Sequence, residues 1–333
     1  MKFTLSNNQC IFIAEIGVNH EGDVSQAKKM LEMAAEVGVD FVKFQSYTPQ
    51  RYASENDANR FQRVSKFSLN INDFEELANL SARLGVGFLS TPLTEDWVEL
   101  LNPMCSAFKI ASGDITFKPV IQNAAQTGKP LIISTGAATI DEIDQAVDWV
   151  TREVGGENLK DRLILMHCVA AYPTPIEQAN ILAIPFMKER YGINVGYSNH
   201  VIGANACLAA VAVGANVIEV HFTDKKEGRE FRDHALSFDQ NDLVSFIKNA
   251  REIKQSLGKF TKEVQPCEYS GVPLIRKGIV AARDLNEGEQ LAVGDLMYAR
   301  PAIEFVSNEI DNLIGKVLKQ PVKQGYLIPR SSV

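Results

Sequence analysis

The chain has 333 residues, of which 45% are hydrophobic and 23% charged, with a formal net charge of −7. That length accommodates one large domain and a small one, and the acidic total argues against non-specific binding to nucleic acid or an anionic membrane. The five cysteines are scattered, with no CxxC pair, which excludes a disulfide framework or zinc knuckle and points to reduced thiols in a cytoplasmic protein.

The first stretch, MKFTLSNNQCIFIAEIG, carries one lysine and has its apolar run broken by Glu15, so it reads as neither a secretory signal nor a membrane span. From residue 11 a short apolar run alternates with an amphipathic stretch. The expected strands are IFIAEIG (11–17), DFVKFQS (40–46), VGFLST (86–91), AFKIAS (107–112), PLIIST (130–135), LILMHC (163–168), INVGYSNH (193–200) and VIEVHF (217–222). Helical spacing follows each, as in DVSQAKKMLEMAAEVG, with Gly38, Gly85, Gly128, Gly192 and Gly214 at helix ends. Eight strand–helix units in about 250 residues have the size and rhythm of a (β/α)8 TIM barrel. A doubly wound sheet is the runner-up, but GxGxxG and GxxxxGK[ST] are both missing. The barrel is assigned to 1–258 and a linker to 259–272. Residues 273–333 are expected to form a small α+β module from the short strands and turns of GIVAARDLNEGEQLAVGDLMYARP.

In such a barrel the chemistry sits at the C-terminal strand ends. Those ends carry Glu15, Lys43 and Gln45, Ser90 and Thr91, Lys109 with Ser112 and Asp114, Ser134 and Thr135, His167, Ser198 with His200, and Glu219 with His221. Lys43 and Lys109 alternate with apolar neighbours, so each should point into the barrel mouth, paired or anion-bound. For Lys43 the plain alternative is an ion pair with Glu15. The two lysines and the hydroxyls of Thr91, Ser112, Ser134 and Ser198 make a plausible phosphate or carboxylate cradle. His167 reads as a hydrogen-bonded core residue. His200 and His221, on adjacent strands, suit a divalent metal with open positions. AYPTP (171–175) reads as a rigid turn, GVNHEGD (17–23) as a loop ending in a helix cap at Asp23, and EGREFRDH (227–234) as a solvated loop.

Taken together, the runs FIAEIGVNHEGD, VKFQSY, FLSTP, FKIASGD, GKPLIISTGAAT, HCVAAYPTP, GYSNH, EVHFTD and GIVAARDLNEGE resemble the sialic acid synthase family. Its members condense phosphoenolpyruvate with N-acetylmannosamine or a related amino sugar. The resemblance implies a barrel with a C-terminal antifreeze-like (SAF) domain, in a domain-swapped homodimer whose tail domains cover the partner's site. It implies Mn2+ or Mg2+ on His200 and His221, with Glu15 beside it. Phosphoenolpyruvate would lie among Lys43, Thr91, Lys109, Ser112, Ser134 and Ser198, and the amino sugar would meet Gln45, Tyr172, Asp233 and, across the dimer, Arg300. The chain departs from the family pattern at Ala170 and Asn199, at REFR before Asp233, and at AIEFV after Arg300-Pro301; most of these changes fall on the sugar side.

The implied reaction has carbon 3 of phosphoenolpyruvate attack an aldehyde carbon, with water adding at carbon 2 and phosphate leaving to give a nine-carbon 2-keto acid. Glu15 would position or deprotonate that water. The rivals are a phosphorylated acceptor, which a second basic cluster would favour although none is evident near AYPTP, an aldolase forming a Schiff base on Lys43 or Lys109, and a non-enzymatic binding module.

Overall fold

The computed structural model describes residues 2–4, 10–229 and 231–333, which fall into two compact units, 1–258 and 259–333. In the first, eight parallel strands close in chain order: β1 (Ile11–Gly17), β2 (Phe41–Ser46), β3 (Gly87–Pro92), β4 (Phe108–Ile110), β5 (Leu131–Ser134), β6 (Leu163–His167), β7 (Asn194–Asn199) and β8 (Val217–His221). β8 returns to pair with β1, so no edge is left exposed. Every expected strand is present: β1 has the bounds expected, β3 starts one residue later and runs one further, to Pro92, and the others are trimmed by one or two residues at their ends.

The connecting helices form where the sequence supplies both a stripe and its ends. In Val24–Val37 the residues Ala27, Met30, Leu31 and Ala34 make one buried stripe. Asp23 opens that helix by accepting from the Ser25 and Gln26 amides at 2.8 and 3.3 Å, and Gly38 closes it at φ 83°.

Period-two alternation decides what each strand shows the interior. Near the N-terminal end of the barrel the inward residues are apolar: Ile11, Ile13, Phe41, Leu89, Ala107, Ile132, Ile164, Met166 and Val217 form one buried cluster, closed by Phe3, whose ring lies 4.9 Å from that of Phe41. Two glycines make room for it. A Cβ on Gly87 would lie 2.2 Å from the Phe41 ring, and one on Gly196 would lie 2.5 Å from the Val217 carbonyl oxygen. One step further along the same inward rows the side chains become polar: Glu15, Lys43, Thr91, Lys109, Ser134, Ser198, Glu219. The register puts Glu15 between Lys43 and His221, and Ser198 beside Glu219.

In the second unit β9 (Gly278–Ala281) pairs antiparallel with β10 (Leu296–Ala299). Ile279, Leu285, Leu291, Phe305, Leu313 and Ile328 are buried around them. Its helical part is the four-residue Val272–Ile275 and a few 3-10 turns, and residues 259–270 are exposed. Among the described residues no helix is long and apolar enough to cross a membrane, and all five cysteines are free thiols.

Candidate active site

The polar inward row forms the floor of a cleft of about 1170 Å3. Lys43 Nζ lies 2.7 Å from Glu15 Oε2 and 3.7 Å from Glu219 Oε2, and donates to Thr91 Oγ1 at 2.9 Å. Glu219 Oε1 accepts from Lys109 Nζ at 2.9 Å and from Ser198 Oγ at 3.0 Å. Gln45 Nε2 donates to Glu15 Oε1 at 3.1 Å. Two ammoniums and two carboxylates thus alternate across a buried floor. Burial pulls the Lys43 pKa down, but the Glu15 and Glu219 carboxylates outweigh it and the pKa stands above the ordinary lysine value. Burial pushes the Glu219 carboxyl up, and Lys109 and Lys43 overcome that, holding it to about 2.

The hydroxyls flank this floor. Ser112 Oγ accepts from the Gly136 amide at 3.0 Å and lies 3.0 Å from Cys168 Sγ. A Cβ on Gly136 would come within 2.8 Å of both. Ser134 Oγ is buried and has no hydrogen-bond partner among the described residues, an arrangement that costs about 1–3 kcal/mol unless a ligand atom meets it.

At the mouth stand two imidazoles, His200 and His221, with ring centroids 5.5 Å apart. His200 Nδ1 lies 2.6 Å from the Val169 carbonyl oxygen. A carbonyl only accepts, so Nδ1 carries the proton and Nε2 keeps its lone pair. Burial, and next the neighbouring His221, lower the His200 pKa to about 3, so the ring is neutral at pH 7. Tyr172 lies 4.1 Å from the His200 ring, and Asp233 Oδ2 is 3.8 Å from His221 Nδ1. This donor set fits a divalent cation: one imidazole is held in the tautomer a metal needs by its carbonyl contact. Among the described residues no three His, Cys, Asp or Glu side chains are placed to hold a metal ion together, so water and substrate oxygens would complete such a site.

Every site residue expected from sequence lines this one cleft except Arg300, which lies in the second unit, exposed just past β10. The ion pair weighed for Lys43 is formed. His167 is the core residue expected, its Nε2 2.8 Å from the Ala179 carbonyl oxygen. The reading of EGREFRDH as a solvated loop needs correction: Phe231 packs against Phe67 at 5.5 Å between ring centroids, Asp233 is buried, and Arg232 lies 4.7 Å over the Tyr172 ring. Glu230 lies outside the described residues. Of the departures, Ala170 lines the cleft, whereas Asn199 bonds its own turn, donating to the Val201 carbonyl at 2.7 Å and accepting from the Val201 amide at 3.2 Å. Glu219, which the sequence places at a strand end with His221 but to which it assigns no role, is the anchor of both lysines; a charged residue flanked by β-branched strand residues in VIEVH was the available signal. Helix Ala58–Phe67, which carries Arg60, Arg63 and Lys66 along the rim, was also missed, because nothing local ties it to the strand ends.

The NeuB family profile matches residues 30–262 of this chain. The chain belongs to the NeuB family. A SAF domain profile matches residues 276–333. The chain is 35% identical to the N,N'-diacetyllegionaminic acid synthase of Campylobacter jejuni, over 96% of this chain and 98% of that one. It is 30% identical to the human N-acetylneuraminate-9-phosphate synthase, over 95% and 90% of the two chains. A crystal structure of the N-acetylneuraminic acid synthetase of Leptospira borgpetersenii in complex with citrate superposes with a TM-score of 0.75 at 30% identity, covering 82% of this chain and 95% of that one.

Proposed function

We propose that this NeuB-family enzyme condenses phosphoenolpyruvate with an acetamido hexose, forming a nine-carbon 2-keto sugar acid and releasing phosphate. The observation that carries this reading is the buried ring of Lys43, Glu15, Glu219 and Lys109 directly below two neighbouring imidazoles. Phosphoenolpyruvate brings a phosphate and a carboxylate, and the two ammoniums with Thr91, Ser112, Ser134 and Ser198 offer donors for both. Glu15 and Glu219 hold those ammoniums in place; on binding, the lysines exchange carboxylate partners for substrate oxygens.

Carbon 3 of the enol pyruvate forms a bond to the aldehyde carbon of the acceptor, and the aldehyde oxygen becomes a hydroxyl by taking a proton. Carbon 2, left electron-poor, takes a water oxygen. Glu15 receives the proton released from that water. As the tetrahedral centre breaks its bond to the bridging oxygen, its hydroxyl gives up its proton and closes the keto carbonyl, and inorganic phosphate leaves with both that oxygen and the proton. His200 and His221 would hold Mn2+ or Mg2+, which when bound supplies Lewis-acid polarisation of the acceptor's carbonyl. Tyr172, Gln45 and Asp233 orient the sugar. Arg300 reaches it from the partner subunit of a domain-swapped homodimer, its planar fork suited to sugar oxygens or an anion. We place the enzyme in the cytoplasm, where its free thiols stay reduced.

Lys43 lies between the Glu15 and Glu219 carboxylates and Lys109 lies 2.9 Å from Glu219 Oε1, and ammoniums held in ion pairs are poor nucleophiles, which favours this reading over a Schiff-base aldolase on either lysine. The test is phosphate release from phosphoenolpyruvate with Mn2+ and a panel of 2-acetamido and 2,4-diacetamido hexoses. Acceptor-dependent release supports the assignment. A lysine adduct trapped by borohydride, with no phosphate released, replaces it with the aldolase.

A further inference from the structure

The loop GVNHEGD, which by sequence only leads into a helix cap, carries a carboxylate that the condensation chemistry leaves unused. β1 pairs with β8 in a register that sets Glu15 beside His221, so the loop leaving β1 rises next to the loop leaving β8. Two side-chain bridges tie these loops together. Asn19 Nδ2 donates to the Phe222 carbonyl at 2.9 Å and to Ser237 Oγ at 3.1 Å. Glu21 Oε1 lies 3.2 Å from Nε2 of the buried His234, whose Nδ1 lies 2.7 Å from Thr223 Oγ1. A carboxylate only accepts, so Nε2 carries the proton. Burial holds the His234 pKa below the ordinary histidine value against the pull of Glu21, so the ring is neutral at pH 7 and Nδ1 accepts from Thr223. Thr223 Oγ1 in turn accepts from the Lys225 amide at 3.2 Å. The bonds run in one direction, from Lys225 through Thr223 and His234 to Glu21, and each polarises the next.

Glu21 ends this chain with its side chain 28% exposed, and it lines the cleft together with Tyr172, His200, His221 and Asp233. Its backbone is left-handed, at φ 51°, a strained setting for a residue with a Cβ. At the neighbouring Gly22 a Cβ would lie 2.2 Å from the Lys66 carbonyl oxygen, so the loop cannot relax by moving toward helix Ala58–Phe67. Capping the helix needs none of this, because Asp23 does it alone. Strain, a buried imidazole and close packing together fix one part-exposed carboxylate at the edge of the cleft.

We infer that Glu21 recognises the acceptor, taking a hydrogen bond from one of its hydroxyl or amide N–H groups, and that His234 is the positioning residue that holds it there. The inference rests on the condensation reading, which puts the acceptor's aldehyde beside His221, on the strand next to β1. A hydroxyl donating to a carboxylate makes a charge-assisted bond, and a site built for such a bond discriminates strongly against a ligand lacking the donor.

The experiment uses the full-length protein, phosphoenolpyruvate, Mn2+ and whichever 2-acetamido or 2,4-diacetamido hexose the wild type turns over fastest. Analogues of that sugar, each lacking one hydroxyl or one acetamido group, complete the set. Glu21→Ala should raise KM for the acceptor about tenfold or more and leave KM for phosphoenolpyruvate within about twofold. One analogue should lose a similar factor with the wild type and nothing further with Glu21→Ala, which names the group recognised. His234→Leu should match Glu21→Ala, and the double variant should be no worse than either. His234→Gln, which keeps a donor and an acceptor, should restore most of the loss. Should His234→Leu fail to fold, Glu21→Ala and the analogues decide alone, since that substitution removes only a part-exposed side chain. An unchanged acceptor KM in Glu21→Ala overturns the inference. So does a parallel rise in both KM values, which makes the loop a scaffold, or a set of analogues whose losses all persist in Glu21→Ala. Losses that simply multiply in the double variant refute the role of His234. If the wild type releases no phosphate with any acceptor, the condensation reading itself fails, and the inference with it.

Discussion

Glu219 is the residue on which the two cradle lysines converge, with Lys109 at 2.9 Å and Lys43 at 3.7 Å. Glu219→Gln keeps the shape and the bond from Ser198 while removing the charge that competes with the incoming anion. KM for phosphoenolpyruvate should therefore fall, while kcat drops about tenfold, or ~1.4 kcal/mol, as the lysines lose their shared anchor and release phosphate slowly. Steady-state phosphate release reads both constants, and a raised KM contradicts the role. His20 offers a separate test away from the chemistry. It is buried, its Nδ1 accepts from the Gly22 amide at 3.1 Å, and burial lowers its pKa to about 4. Between pH 6.5 and 4 the unfolded chain takes up a proton that the folded ring refuses, so stability falls with pH across that window, by up to about 1.4 kcal/mol per unit. His20→Asn retains an acceptor and should flatten the slope of unfolding free energy against pH by up to that amount; equal slopes in urea titrations count against it. At this scale the inward polar residues were legible because strand alternation is local. Which lysine would meet which glutamate was not, since that depends on register between strands far apart in sequence.

The strands and helices of the barrel follow from apolar runs and caps that are continuous in the chain, which explains why all eight strands were legible to within a residue or two. The AFKIAS segment shows the limit: only Phe108–Ile110 pairs as strand, and Ser112–Asp114 turns into a 3-10 helix that sets Ser112 beside Gly136. Residues 227–234 were misread for a related reason: charge density suggested solvent, whereas Phe231 finds its partner on a helix more than 160 residues earlier in the chain. Close packing between elements makes its own prediction. Gly196 faces Met166 and the Val217 backbone, so Gly196→Ala must push β7 away from β8. It should cost about 1–3 kcal/mol in urea unfolding and weaken turnover, because Ser198 and His200 lie on and just beyond the same strand. Wild-type stability in that variant contradicts the interior geometry.

At the scale of the whole molecule, the barrel unit holds the entire floor and a core of its own, while Arg300 belongs to the second unit. A chain ending at Gly258 should keep its helical circular dichroism and bind phosphoenolpyruvate in calorimetry, yet lose acceptor-dependent turnover by 100-fold or more, on the order of ~2.7 kcal/mol. Full turnover by the truncated chain argues against a sugar-binding role for Arg300. The division into a large and a small domain was legible from length and from the break in periodicity after 258. The form of the small domain was less so, because it is built of isolated bridges and 3-10 turns that have no period to detect. The account as a whole depends on water reaching carbon 2 of phosphoenolpyruvate after carbon 3 has bonded to the acceptor. The most direct measurement turns over phosphoenolpyruvate labelled with 18O in the carbon–phosphorus bridge. All label should leave in inorganic phosphate, with the keto oxygen of the sugar acid drawn from water; label retained in the sugar acid would mean cleavage at phosphorus and would contradict the mechanism.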